Sequence, residues 1–201
     1  MFEYGKTRKS FRSHWSRLGG AEASQMMEFA VALPLLVVLV IGIFDFGTAF
    51  NLKQELNNAV REGARFAATQ PTNDLCPTCS TPPSVDAIRF VVDSYLLASG
   101  INDCGLSALS EPGSGSGLIW TYTATGNGCP SGHALTLTIA RGVALAATNY
   151  GNANVNIMST QVRISYPYPW RFNRVITLLA PGANYAGVSQ IKTDASAVNM
   201  N

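Results

Sequence analysis

Residues 29–44 read FAVALPLLVVLVIGIF, a run of 16 residues without a charge, twelve of them Leu, Ile, Val or Phe. Nothing else in the chain limits its folding choices as much. As a helix, 16 residues reach about 24 Å and the 22 residues to Phe50 about 33 Å, against a hydrocarbon core of about 30 Å. Each of the twelve favours the bilayer by roughly 0.3–0.6 kcal/mol, a sum of about −5 kcal/mol that outweighs one proline and an acid near one end. Those exceptions are Pro34 and Asp45. A core helix of a soluble protein normally keeps a polar face, and this segment has none before Asp45. The segment therefore reads as a membrane span.

The flanks give the span a direction. Residues 1–23 carry Lys6, Arg8, Lys9, Arg12 and Arg17 against Glu3 and Glu22. Only Lys53 follows the span within ten residues. The positive-inside rule then places the N-terminus in the cytoplasm and residues after about 50 outside, as a single-pass membrane protein. A cleaved secretory signal is the rival reading, but its apolar region would be shorter and followed by a small-residue cleavage site. Over the whole chain the net charge is only +2, with 13% charged residues, too weak a positive balance for nucleic acid.

Three polar or helix-breaking residues interrupt the rod. Glu28 stands at the threshold of the hydrocarbon, where a carboxylate is costly unless paired. It can also sit at headgroup level, facing the positive end of the helix dipole. Pro34 removes one backbone donor and is expected to bend the helix near Ala30, a feature transmembrane helices tolerate. Asp45 is either a snorkelling or capping residue at the outer edge or a polar contact to another subunit.

The segment EASQMMEFAVALPLLVVLVIGIFDFGTAF, followed by LNNAVREGARFAA, resembles the TadE-like minor pilins, or pseudopilins, of the tight-adherence (Flp-type) pilus system. The likeness lies in the combination of EFA-x-x-LP-LL, DFG-x-AF and REGAR-x-AA over about residues 22–68. It implies cleavage of the leader by a prepilin peptidase, with the glutamate fifth in the mature chain. Counting back from Glu28 makes Ala23 the last leader residue and Ser24 the first mature one. The family usually carries glycine at the position of Ala23; the nearest glycine, Gly20, would make Glu28 eighth. Cleavage frees an α-amine on Ser24. In a filament of packed helices that amine could pair with Glu28 of an adjacent subunit and set axial register. The implied partners are the lipid bilayer, other pilin-like subunits, the assembly machinery and the peptidase.

Past the span, Leu52, Leu56, Ala59, Val60, Gly63, Phe66 and Ala67 recur at helical spacing, with charged residues on much of the opposite surface. One long helix is expected over residues 24–69. A turn-rich loop covers 71–83, and Ser84 is expected to cap a second helix to about residue 99. Residues 105–117 read as a flexible loop. Strands are expected at 118–125, 133–140, 155–166 and 188–198, and a short helix at 172–179. The segment opening PYPW is too rich in proline to begin as a strand. The fold class is α+β and pilin-like: a long N-terminal helix, first transmembrane and then an amphipathic stalk, packed on an antiparallel sheet of about four strands. The parts are a basic cytoplasmic leader at 1–23, a transmembrane helix at 24–50 and an extracytoplasmic head at 51–201.

Cys76, Cys79, Cys104 and Cys129 all follow the span and should meet an oxidising exterior. Two disulfides are expected, with Cys76–Cys79 and Cys104–Cys129 favoured among three pairings. A redox dithiol, half a zinc site and free thiols are the other readings of these residues. No catalytic motif is present, no cofactor is implied and neither histidine sits in a catalytic pattern, so the chain is read as non-enzymatic and without a small-molecule substrate. The function these signals favour is a membrane-anchored minor pilin taking part in pilus assembly. The alternative is a single-pass anchored binding module whose head never enters a filament.

Overall fold

The structure is a computed structural model that describes residues 21–75, 81–112, 114–150, 153–172, 182 and 187–200. The chain divides into two units between Gly42 and Ile43. Helix α1, Ala21–Thr69, runs through that division and through Pro34. In its first part Met26, Met27, Phe29, Val31, Leu35, Leu36 and Leu39 are all exposed. The helix from Ser24 is long and apolar enough to cross a membrane.

From Asp45 onward α1 changes character. Asp45, Ala49, Leu56, Ala59, Val60, Ala64 and Ala67 are buried, and Leu52 and Phe66 pack at the margin of the core. Steps of three and four residues put these positions on one face. The residues expected on the stalk's inner face are therefore the ones that pack. Burial begins earlier than the expected head boundary at residue 51, because Asp45 already faces the head.

Helix α2, Pro83–Ala98, presents Val85, Ile88, Val92 and Leu96 to the core. Ser84 does not cap it. Pro82 holds the cap position in an extended conformation and Pro83 opens the helix, so Ser84 is already inside. The orphan N-terminal donor is met by Asp74, whose carboxylate accepts the Ser84 N–H at 2.8 Å and its hydroxyl at 3.0 Å.

Five antiparallel strands follow in spatial order of sequence: β1 Ser114–Ser116, β2 Ile119–Ala124, β3 Leu135–Tyr150, β4 Ala153–Pro169 and β5 Val188–Val198. Across the sheet Trp120 pairs with Ile139, Ile139 with Val162 and Val162 with Ala195. One rung on, Tyr122 pairs with Leu137 and Leu137 with Ile164. These side chains share a face and close the core against α1 and α2.

The sheet differs from the expected four strands in several places. β1 lies within the segment read as a flexible loop. β3 continues ten residues beyond its expected end at Ala140, because a register shift between Arg141 and Val143 lets the pairing with β4 resume. Gly142 permits it: its φ is +96°, and a Cβ there would stand 2.7 Å from Leu118 Cδ1. β4 also passes through Pro167 and Pro169, where proline argued against a strand. The β3 register ends at Thr136 opposite Ser165, while β5 stays paired to β4 as far as Pro169. Past Ser165, β4 thus has a neighbour on one side only, the edge condition that tolerates a missing N–H. The short helix expected at 172–179 falls almost wholly outside the described residues.

The C-terminal end of α1 is closed by tertiary contacts. Buried Arg141 donates from Nη2 to the carbonyls of Gln70 at 3.0 Å and Ala67 at 3.4 Å, and the Met200 N–H donates to Ala68 at 3.1 Å. A cation meets the negative end of the helix dipole here, and otherwise orphaned carbonyls find donors. α1 itself supplies no basic residue in its last turn.

Gly63 is a point of close approach between the helices, since a Cβ there would fall 2.5 Å from Val92 Cγ2, with Ile88 and Val162 just beyond. Gly63→Leu should destabilise the head by about 1–3 kcal/mol through overpacking. Chemical denaturation followed by Trp120 fluorescence checks this; unchanged stability would contradict the packing.

Candidate functional site

Two stretches of α1 carry the residues that the sequence singles out. Ala23 and Ser24 lie in its first turn, and Glu28 follows one turn after Ser24. Glu28 is exposed, between exposed Met27 and Phe29. Among the described residues no side chain hydrogen-bonds or ion-pairs with it. Among the described residues Glu28 is thus a carboxylate on an apolar surface with no group offsetting its charge.

Asp45 has the opposite environment. It is 4% exposed, and both carboxylate oxygens have donors. The Tyr168 hydroxyl donates to Oδ1 at 2.8 Å, and the Phe172 N–H donates to Oδ2 at 2.9 Å. Thr48 Oγ1 lies 2.7 Å from the Tyr168 oxygen, so the hydroxyl group of Tyr168 is satisfied from both sides. Burial pushes the Tyr168 phenol above its ordinary value; the Thr48 hydrogen bond opposes this and the Asp45 carboxylate adds to it. The sequence reading offered Asp45 a surface role or a second subunit. Its observed partners are in its own chain, where it ties the end of β4 to α1.

Neither Tyr168 nor Phe172 is recoverable from sequence as that partner. The available signal is indirect: a lone acid at the end of an apolar helix needs a donor, and YPYPW ends a strand with a phenol and an indole. Arg141 and Asp74, which serve the two helix ends, carry no local signal at all.

Cys104 and Cys129 form a disulfide with Cα atoms 5.1 Å apart. It ties the turn before the 3-10 turn Leu106–Ala108 to the loop between β2 and β3, and Gly126 N–H donates to the Cys104 carbonyl at 2.7 Å beside it. One of the two expected bridges is thus present. Cys76 and Cys79 lie outside the described residues. Among the described residues no group of His, Cys, Asp and Glu is placed to hold a metal ion.

A second acidic group sits in the head core. Asp93 on α2 is 3% exposed, and its carboxyl is pushed up to about 6, first by burial and then by the Asp103 charge. Burial also acts to raise Asp103, but hydrogen bonds from the backbone and hydroxyl of Ser107 and from the Gly105 N–H outweigh it and hold Asp103 below its ordinary value. A proton kept on Asp93 is shared toward Asp103.

Tyr168→Phe removes one of the two donors to a buried carboxylate and should cost about 1–3 kcal/mol of head stability. Thermal unfolding in detergent would read it; a melting curve equal to that of the parent would show that Asp45 does not hold β4. Asp93 gives a pH signature of known sign. Its carboxyl is raised from 3.8 to about 6, so its contribution to stability is complete below about 3.8 and lost as pH rises through about 6. Asp93→Asn should remove that loss, gaining about 1–3 kcal/mol on the parent between pH 4 and 7, up to the limit set by two pKa units. A constant difference across this range would refute it.

The comparisons with known proteins bear on the first stretch. The chain has no significant match among curated proteins or solved structures. Residues 23–65, which hold Ser24, Glu28, the apolar segment and the first turns of the head-facing stripe, match the family model described as TadE-like protein.

Proposed function

We propose that this protein is a membrane-anchored minor pilin or pseudopilin that takes part in assembling a tight-adherence type pilus, without enzymatic activity of its own. The observation that carries the reading is the coincidence of the TadE-like match at 23–65 with a helical segment whose apolar side chains, from Met26 to Phe44, are largely uncovered. Such a surface requires lipid or the helices of other subunits as its surroundings. The Cys104–Cys129 disulfide fits a head outside the cytoplasm.

In this reading the N-terminus is cytoplasmic, and a prepilin peptidase removes residues 1–23 and exposes the Ser24 amine. Glu28 then pairs with the Ser24 amine of a neighbouring subunit. The pairing accounts for an exposed acid in an apolar rod that has no partner among the described residues: its charge is neutralised on assembly. Register follows, because one helix must stand at a fixed axial offset from the next for the two groups to meet.

Intact-mass measurement of the protein from its host, with and without the peptidase, tests the processing. The expected mature chain begins at Ser24; retention of residues 1–23 in a host that has the enzyme would overturn the reading in favour of an anchored module outside any filament. Glu28→Gln should leave cleavage unchanged and reduce incorporation into pili at least tenfold, read by immunoblot of sheared filaments. Normal incorporation would exclude the register role.

A further inference from the structure

The aromatic residues around Asp45 divide by the direction in which they are used. Phe44, Phe46 and Phe50 are 72%, 69% and 64% exposed. Phe46 and Phe50 are one turn apart on the same face. The Trp170 ring packs on Phe46 with centroids 5.2 Å apart, and Tyr168 meets Trp170 edge to face at 5.0 Å. The polar atoms of this group are hydrogen-bonded within the chain. The Tyr168 hydroxyl is held by Asp45, the Trp170 N–H of the backbone by the Gly187 carbonyl, and Trp170 Nε1 by Ser189 Oγ. What remains on the outside is ring surface, flanked by exposed Arg171 and Lys53.

We infer that this collar is a membrane-surface seat: Phe46, Phe50 and Trp170 enter the headgroup layer of the outer leaflet, and Arg171 meets lipid phosphate. The inference rests on the reading of the preceding segment as a membrane anchor. Lipid is the occupant because the collar continues, along the row of Ile43, Phe46 and Phe50, the uncovered apolar surface at the end of that segment. Aromatic rings gather at the depth where hydrocarbon gives way to headgroups, and basic side chains beside them reach phosphate. Asp45 stands at the same level without facing lipid, since Tyr168 and the Phe172 N–H enclose its carboxylate. The prolines at 167 and 169 hold the end of β4 extended where it brings Tyr168 and Trp170 to α1.

The test uses the full chain in phospholipid nanodiscs carrying bromine at acyl positions 6,7 or 11,12. Trp15→Phe removes the leader indole, Trp120 is buried in the head core, and comparison with Trp15→Phe/Trp170→Phe isolates the Trp170 emission. The seat predicts at least twofold quenching of that emission by the 6,7 lipid and weaker quenching by the 11,12 lipid. Phe46→Ser/Phe50→Ser should reduce the quenching while the near-ultraviolet dichroism of the head is unchanged. Absence of quenching by either lipid, in protein that co-elutes with the discs, would overturn the seat and leave the anchor standing. Failure to co-elute would overturn the anchor and the seat with it. Absence of quenching together with copy-to-copy crosslinks through Phe50→Cys would assign the collar to a subunit contact instead.

Discussion

The head is organised by one stripe on α1. From Ala49 through Leu52, Leu56, Ala59, Val60, Gly63 and Ala67, small or branched residues recur at helical spacing on the buried side. The small members let α2 and the sheet approach closely; at Gly63 there is no room for a Cβ beside Val92. The sheet then needs only to present the other half of the core. It does so with the row of Trp120, Ile139 and Val162 and the row of Tyr122, Leu137 and Ile164. A helix that packs on one face and a sheet that packs on one face are sufficient for each other, which is the logic of an α+β head.

The same helix is written for two solvents. Before Asp45 its apolar residues surround the axis, and burying a stripe of them would leave the others uncovered. After Asp45 they fall on one side, with Lys53, Arg61 and Arg65 exposed on the other. Asp45 marks the change, and its two in-chain donors make an acid compatible with that position. Glu28, at the opposite end of the apolar segment, has no such donors among the described residues. Of two acids in similar sequence surroundings, one is satisfied by the fold, and for the other we propose a partner subunit.

Much of this was legible in the residues. The apolar run, the stalk spacing, α2 and the alternation of Leu135, Leu137 and Ile139 are local patterns, and they are strong because core burial enforces them. The disulfide between Cys104 and Cys129 followed from compartment and count, although its pairing was one choice among three. What failed was decided elsewhere in the chain. Ser84 looked like a cap, but Pro82 and Pro83 shift the helix start and Asp74 supplies the acceptor from ten residues away. The prolines of YPYPW argued against a strand, yet β3 ends in time to leave β4 an open side there. Tyr168 and Arg141 have roles fixed only by where the sheet carries them, so no window of sequence contains the signal.

The central claim is that α1 presents all its sides to lipid before Asp45 and one face to protein after it. Nitroxide scanning of residues 26–67 in bilayers, in a Cys76→Ser/Cys79→Ser background, measures this directly through collisions with oxygen and with a water-soluble nickel complex. The account predicts high oxygen access without helical periodicity as far as Phe44. From Asp45 it predicts a 3.6-residue rhythm, with minima on the buried stripe. A helical rhythm of protection running through residues 26–44 in the isolated protein, or free access of the nickel complex there, would contradict it.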